Sequence, residues 1–163
     1  MNLTLNDYNA FYMKYIKKET GHSILKDFLL RIERVNEDDS FIYNVEKIIL
    51  FGSFLHGKEK PGDIDIAINF AAKERNADIY AKLAENQIRV AICNGCRFNN
   101  ISQQITYPQE KVLRFLRGGH KSISFHFVGG EYSDFEKEIF IPNVFQIKLF
   151  SAVILILIIP YNL

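Results

Sequence analysis

Residues 47–70 read KIILFGSFLHGKEKPGDIDIAINF, and the fold turns on how this stretch is parsed. An apolar run ends in Gly52-Ser53, nine residues follow, and Asp63-Ile64-Asp65 opens a second apolar run. Both runs have the length and β-branched content of strands, so a strand is expected over about 45–51 and another over about 64–70. Side chains alternate along a strand with a period of two. Asp63 and Asp65 therefore share one face, while Ile64 and Ile66 take the other. Two neighbouring carboxylates repel unless a cation lies between them. A Gly-Ser turn beside them offers backbone N–H groups and a hydroxyl suited to phosphate oxygens. Carboxylates that hold a divalent metal next to a phosphate cradle are equipment for phosphoryl transfer from a nucleoside triphosphate.

Working outward, residues 5–19 and 22–35 carry apolar positions at helical spacing, and Gly21 is expected to separate two helices. Asn36-Glu37-Asp38-Asp39-Ser40 reads as a polar loop. Ser53–Gly57 suits a short helical turn, followed by a loop through Pro61-Gly62. Residues 74–90 read as a helix whose apolar positions are Ile79, Leu83 and Ile88, against a polar counterface. The stretch 94–106 is poorly patterned and is expected to be loop. Pro108 suits the first turn of a helix bearing Val112, Leu113, Phe115 and Leu116, which ends at Gly118-Gly119. Residues 123–128 read as a third strand.

These elements imply a single α/β (α+β) domain over 1–163, with a small mixed, twisted sheet of three to five strands and helices on one face. Its parts are N-terminal helices over 1–40, a core over 45–130, and an apolar segment over 144–160. Within that segment Leu149–Ile159 is apolar apart from Ser151, but Gln146 and Lys148 leave it shorter than the roughly twenty residues of a membrane-spanning helix. A buried element or a contact with a partner protein or a second copy is the expectation, rather than a membrane role.

The 20 basic and 19 acidic residues leave a net charge of +1, so any attraction to nucleic acid must come from a local patch. One such cluster is Lys111, Arg114, Arg117, His120 and Lys121; Arg114 and Arg117 share a helical face that leads towards the third strand. The opening residues lack the basic-then-apolar order of a secretory signal, and a cytoplasmic location is expected. Cys93 and Cys96 in CNGC would make half of a zinc site, with His120 and His126 as available further ligands. No tight second pair stands at a zinc spacing, so incidental cysteines are the expectation.

LFGSF, the nine-residue spacing and DIDI together resemble the signature of the DNA polymerase beta-like nucleotidyltransferase superfamily, closest in style to small prokaryotic minimal nucleotidyltransferases. The resemblance implies that Gly52 permits a tight turn beside a triphosphate and that Ser53 holds its terminal phosphates. It implies that Asp63 and Asp65 bind Mg²⁺ (Mn²⁺ as the alternative), with Lys58, Arg114 and Arg117 as further nucleotide-binding candidates. It also implies transfer of a nucleoside monophosphate to a hydroxyl acceptor, an RNA 3′ end or a protein, in a toxin–antitoxin or phage-defence setting. Members usually carry a third acid on a later strand. Here Phe125-His126-Phe127 puts His126 in that place, as a metal ligand or a general base, and Glu131 or Asp134 could supply the acid instead. The departure leaves a second reading, a degenerate fold acting as a binding or antitoxin subunit.

Overall fold

A computed structural model describes residues 15–127 and 137–140. The expected helix over 5–19 falls largely before this range, and Glu131, Asp134 and the apolar segment 144–160 also lie outside the described residues. Within it the order is α1 (Lys18–Glu37), β1 (Tyr43–Phe51), α2 (Gly52–Leu55), β2 (Ile64–Ala72), α3 (Ala77–Cys93), α4 (Ile101–Arg117), β3 (Ile123–Phe127) and β4 (Lys137–Phe140). The four strands form one mixed sheet in the order β3-β2-β1-β4. β1 runs antiparallel to both β2 and β4, whereas β2 and β3 are parallel and are connected through α3 and α4. This is the mixed α+β architecture expected.

Alternation sorts the sheet into two faces. Ile48 and Leu50 of β1 and Ile64, Ile66 and Ile68 of β2 pack against α1 and the C-terminal half of α4. α1 contributes Ile24, Leu25, Phe28, Ile32 and Val35, which recur at helical spacing, and Phe28 is 0% exposed. From α4 come Val112 and Leu116. Burying such residues is the main source of stability, at roughly 1.5–3 kcal/mol for each large side chain.

β1 starts two residues earlier than its sequence pattern indicates, because a β-bulge absorbs Glu46: Val45 pairs with Phe70, and Lys47 with Asn69. Without the extra residue, strand parity would turn Val45 away from the core. The bulge returns Val45 to the helical side, where it is 1% exposed. Asn36, in the last turn of α1, closes over this place: its Oδ1 accepts from Val45 N–H at 2.8 Å and its Nδ2 donates to Val45 O at 3.1 Å.

Three expectations need correction. Gly21 does not divide two helices; it lies within α1, buried, where the Phe54 ring of α2 packs so closely that a Cβ could not fit. Glycine here serves contact rather than chain reversal. Residues 101–106 are helical, not loop: Asn100 caps α4, its Oδ1 accepting from Gln103 N–H at 2.9 Å, and Pro108 sits inside the helix rather than in its first turn. α3 spans 77–93 rather than 74–90, and its expected core positions Ile79 and Leu83 are exposed, with Ala91 its one fully buried residue.

Asn36→Ala should cost about 2 kcal/mol, because it strands a buried donor and a buried acceptor on Val45. Urea unfolding should show the midpoint falling with an unchanged slope.

Candidate active site

The antiparallel register sets Phe51, the last residue of β1, directly opposite Asp65. The chain then bends at Gly52, whose φ of +77° lies in the left-handed region. A Cβ built on Gly52 would fall on Asp65 Oδ2, so the carboxylate occupies the space a side chain would need. Two independent demands, the backbone angle and the contact, thus specify glycine at this position.

α2 follows at once. His56 N–H bonds to Gly52 O at 3.3 Å, and Lys58 N–H bonds to Ser53 O at 3.2 Å. These bonds draw the loop bearing Lys58 back onto the Gly-Ser bend. Ser53 is half-buried, and the Lys58 side chain is exposed. The chain returns through Pro61, whose carbonyl accepts from Ile16 N–H at 2.8 Å. Ile64 N–H then donates to Ser122 O at 2.8 Å, which fixes the mouth of β2 beside β3.

The parallel pairing places Ser124 beside Asp65 and His126 beside Ala67, on the same face of the sheet. His126 Nε2 lies 3.5 Å from Asp65 Oδ1 and 3.4 Å from Ser124 Oγ. The imidazole also meets the Phe51 ring edge-on, with centroids 5.0 Å apart. The Asp65 side chain is 19% exposed and that of His126 is 43% exposed, so the carboxylate lies deeper. Burial pushes the Asp65 carboxyl above the ordinary carboxylate range. The nearby charge of Asp63 pushes it further, and His126 partly offsets both.

Asp63, Asp65, Gly52, Ser53 and His126 are therefore gathered where β1, β2 and β3 meet α2. Arg114 and Arg117 are not brought to them. The Arg117 guanidinium lies over the Phe125 ring at 5.3 Å, and Phe125 belongs to the helical side of the sheet, opposite His126. Arg114 is exposed on α4. Phe51 and Ser124 are neighbours of the site that the sequence reading missed. The alternation that singled out His126 also puts Ser124 on its face, but the partner of Phe51 depends on a long-range register.

The donor set suits a hard divalent cation: Mg²⁺ takes one or two carboxylates and completes its shell with water and substrate phosphate. Among the described residues, no three His, Cys, Asp or Glu side chains form a ready-made metal cluster. An acid whose ionisation is opposed both by burial and by a neighbouring carboxylate is the feature that fits a cation.

The family model described as "Polymerase beta, Nucleotidyltransferase" matches residues 32–113, half of the chain, including β1, α2, β2 and both aspartates. No curated protein and no solved structure matches significantly.

The raised Asp65 carboxyl fixes the sign of a pH effect. In the metal-free protein the folded state holds this proton more tightly than the unfolded state does. Stability therefore falls as pH rises from the ordinary carboxylate value of 3.8 through the raised value. Asp65→Asn should raise the melting temperature at neutral pH, and the gain over the unmodified protein should vanish towards about pH 3. Paired thermal melts across pH, in the presence of a chelator, check this.

Proposed function

The chain belongs to the polymerase beta nucleotidyltransferase family, and on that premise we propose that it moves a nucleoside monophosphate from a nucleoside triphosphate to a hydroxyl group. The observation that carries the reading is the Asp65 carboxylate seated against the Gly52 bend with Asp63 beside it. The acceptor oxygen attacks the α-phosphorus. A new P–O bond forms, the bond from the α-phosphorus to the oxygen bridging the β-phosphate breaks, and pyrophosphate leaves.

In this reading Asp63 and Asp65 hold Mg²⁺, or Mn²⁺ in its place. When bound, the ion supplies neutralising charge for the triphosphate and acidifies the attacking hydroxyl. Gly52 lets the backbone approach the phosphates without a side chain in the way. Ser53 contributes its hydroxyl and N–H, and Lys58 reaches the phosphates as a mobile point charge. His126, whose Nε2 lies 3.5 Å from Asp65 Oδ1, takes the proton of the acceptor hydroxyl as general base. Arg114 and Arg117 stand outside the proposed site, because Arg117 covers the opposite face of β3.

The acceptor we assign to this reading is an RNA 3′ end or a protein hydroxyl, in a toxin–antitoxin or phage-defence pair acting in the cytoplasm. No helix among the described residues is long and apolar enough to cross a membrane. A second reading, a binding or antitoxin subunit that no longer turns over, is favoured by one observation: β3 presents His126 where a third carboxylate would be expected.

Calorimetry with Mg²⁺ or Mn²⁺ and each of the four triphosphates, followed by a pyrophosphate-release assay with RNA and protein acceptors, separates the two. Transfer predicts both binding and release. Asp63→Ala and Asp65→Ala should each reduce release by about three orders of magnitude, as expected for losing several kcal/mol of charge stabilisation. Binding without release under every condition supports the subunit reading. Release undiminished in both variants rejects the proposed mechanism.

A further inference from the structure

Among the described strands β3 is an outer one, and its site face carries Ser124 and His126 in succession. Ser124 pairs in register with Asp65, so the two backbones stand one strand spacing apart, about 4.8 Å. The Ser124 hydroxyl oxygen lies 3.4 Å from His126 Nε2, the same nitrogen that lies 3.5 Å from Asp65 Oδ1. A serine two positions from a histidine is unremarkable on a strand, where such residues share a face. What singles out Ser124 is its other neighbour.

A hydroxyl that is to attack phosphorus needs a carboxylate-held cation on one side and a base on the other. Ser124 Oγ already stands beside the acid and the imidazole to which the transferase reading gives those roles. Ser124 is half-buried, whereas the His126 side chain is 43% exposed, so the pair opens outward rather than into the core. The Oγ–Nε2 distance is long for a hydrogen bond, as is common in unliganded sites, where such bonds shorten in the reacting complex. Well-oriented intramolecular groups reach effective concentrations of about 10⁵ M or more. Ser124 needs only a small part of that advantage to compete with a hydroxyl that must diffuse in. The other serines nearby are placed differently. Ser53 opens α2 and is committed to the phosphates in the transferase reading, and Ser122 precedes β3, where its carbonyl accepts from Ile64 N–H.

We propose that Ser124 is a self-modification site, which rests on the transferase reading: without an external acceptor, the chain transfers a nucleoside monophosphate to its own Ser124 hydroxyl. Ser124 Oγ attacks the α-phosphorus and an Oγ–P bond forms. The bond from the α-phosphorus to the oxygen bridging the β-phosphate breaks, and pyrophosphate leaves with the electron pair. The hydroxyl proton passes to His126 Nε2. The product is a phosphodiester on Ser124, whose negative charge stands beside the Asp65 carboxylate and whose bulk fills the acceptor's place. The reaction therefore limits itself to a single turnover.

The full chain is incubated with Mn²⁺ or Mg²⁺ and each α-labelled triphosphate, without acceptor, and its tryptic peptides are sequenced by mass spectrometry. Pyrophosphate should appear in a burst stoichiometric with the protein. The label should lie on the peptide Ser122–Lys137, at Ser124 and not at Ser122, Tyr132 or Ser133. Nucleotide already on Ser124 in the protein as purified is the same result. Excess pyrophosphate should strip the label and regenerate the triphosphate. The labelled fraction at a given time should not change over about a hundredfold range of protein concentration. Ser124→Ala should lose the label, and Ser124→Thr, which keeps a hydroxyl on a strand-favouring residue, should retain it, with unchanged circular dichroism in both. Label at another residue, or labelling that speeds up with protein concentration, overturns the proposal. Transfer to external RNA or protein with Ser124 never labelled overturns it and leaves the transferase reading standing. No pyrophosphate release under any condition overturns both.

Discussion

Everything at the site depends on one contact: the Asp65 carboxylate filling the place a side chain on residue 52 would take. The β1–β2 register brings the end of one strand opposite the beginning of the other, and the left-handed bend then swings the chain away to leave room for the oxygen. The contact carries an energetic penalty. Burial and the Asp63 charge both oppose ionisation of Asp65, and the nearby imidazole relieves the opposition only in part. A protein selected for stability alone would not place two acids here. Penalties of this kind gather at functional sites, where a ligand later offsets them.

The helical side of the sheet supplies the rigidity that makes such a contact sustainable. α2 is only four residues long and cannot hold its own position. It is clamped through Phe54, whose ring fills the notch left by Gly21 and meets His22 edge-on at 5.5 Å. α1 is held in turn at its far end by the Asn36 bridge to Val45 and by Lys73, whose ammonium donates to the carbonyls of Val35 and Asp38 at 2.9 and 2.8 Å. A side chain inserted at Gly21 would therefore be felt at the Gly52 bend, although the two glycines are thirty-one positions apart in sequence.

How much of this was legible in the sequence follows from the range of the forces involved. Strand parity is local, so the common face of Asp63 and Asp65 could be read directly, as could the need for a turn at Gly52-Ser53. The Asn100 cap was also local, but it was obscured by an exposed, polar first turn in which Ile101 and Ile105 have no core to mark them as helical. The Glu46 bulge and the contact between Gly21 and Phe54 were not legible, because each depends on a partner distant in sequence. The same holds for Arg117: its spacing from Arg114 was read correctly, but not the sheet face on which β3 would seat it. On α3 the periodicity was right and the burial wrong, since an apolar stripe specifies that a partner exists without specifying where it comes from.

The parallel pairing of β3 has a further consequence for the chemistry. A third carboxylate at position 126 would add negative charge beside an acid already disfavoured by its neighbour, and the metal-free site would be still more strained. His126 does the reverse: with its Nε2 3.5 Å from Asp65 Oδ1, it offers that oxygen a partner before any cation arrives. Replacing acid by imidazole therefore exchanges cation affinity for stability of the empty site. The exchange also alters what the third position can do. A carboxylate there would chiefly bind metal, whereas an imidazole, packed between Ser124 and Phe51, can also donate a hydrogen bond to the carboxylate beside it.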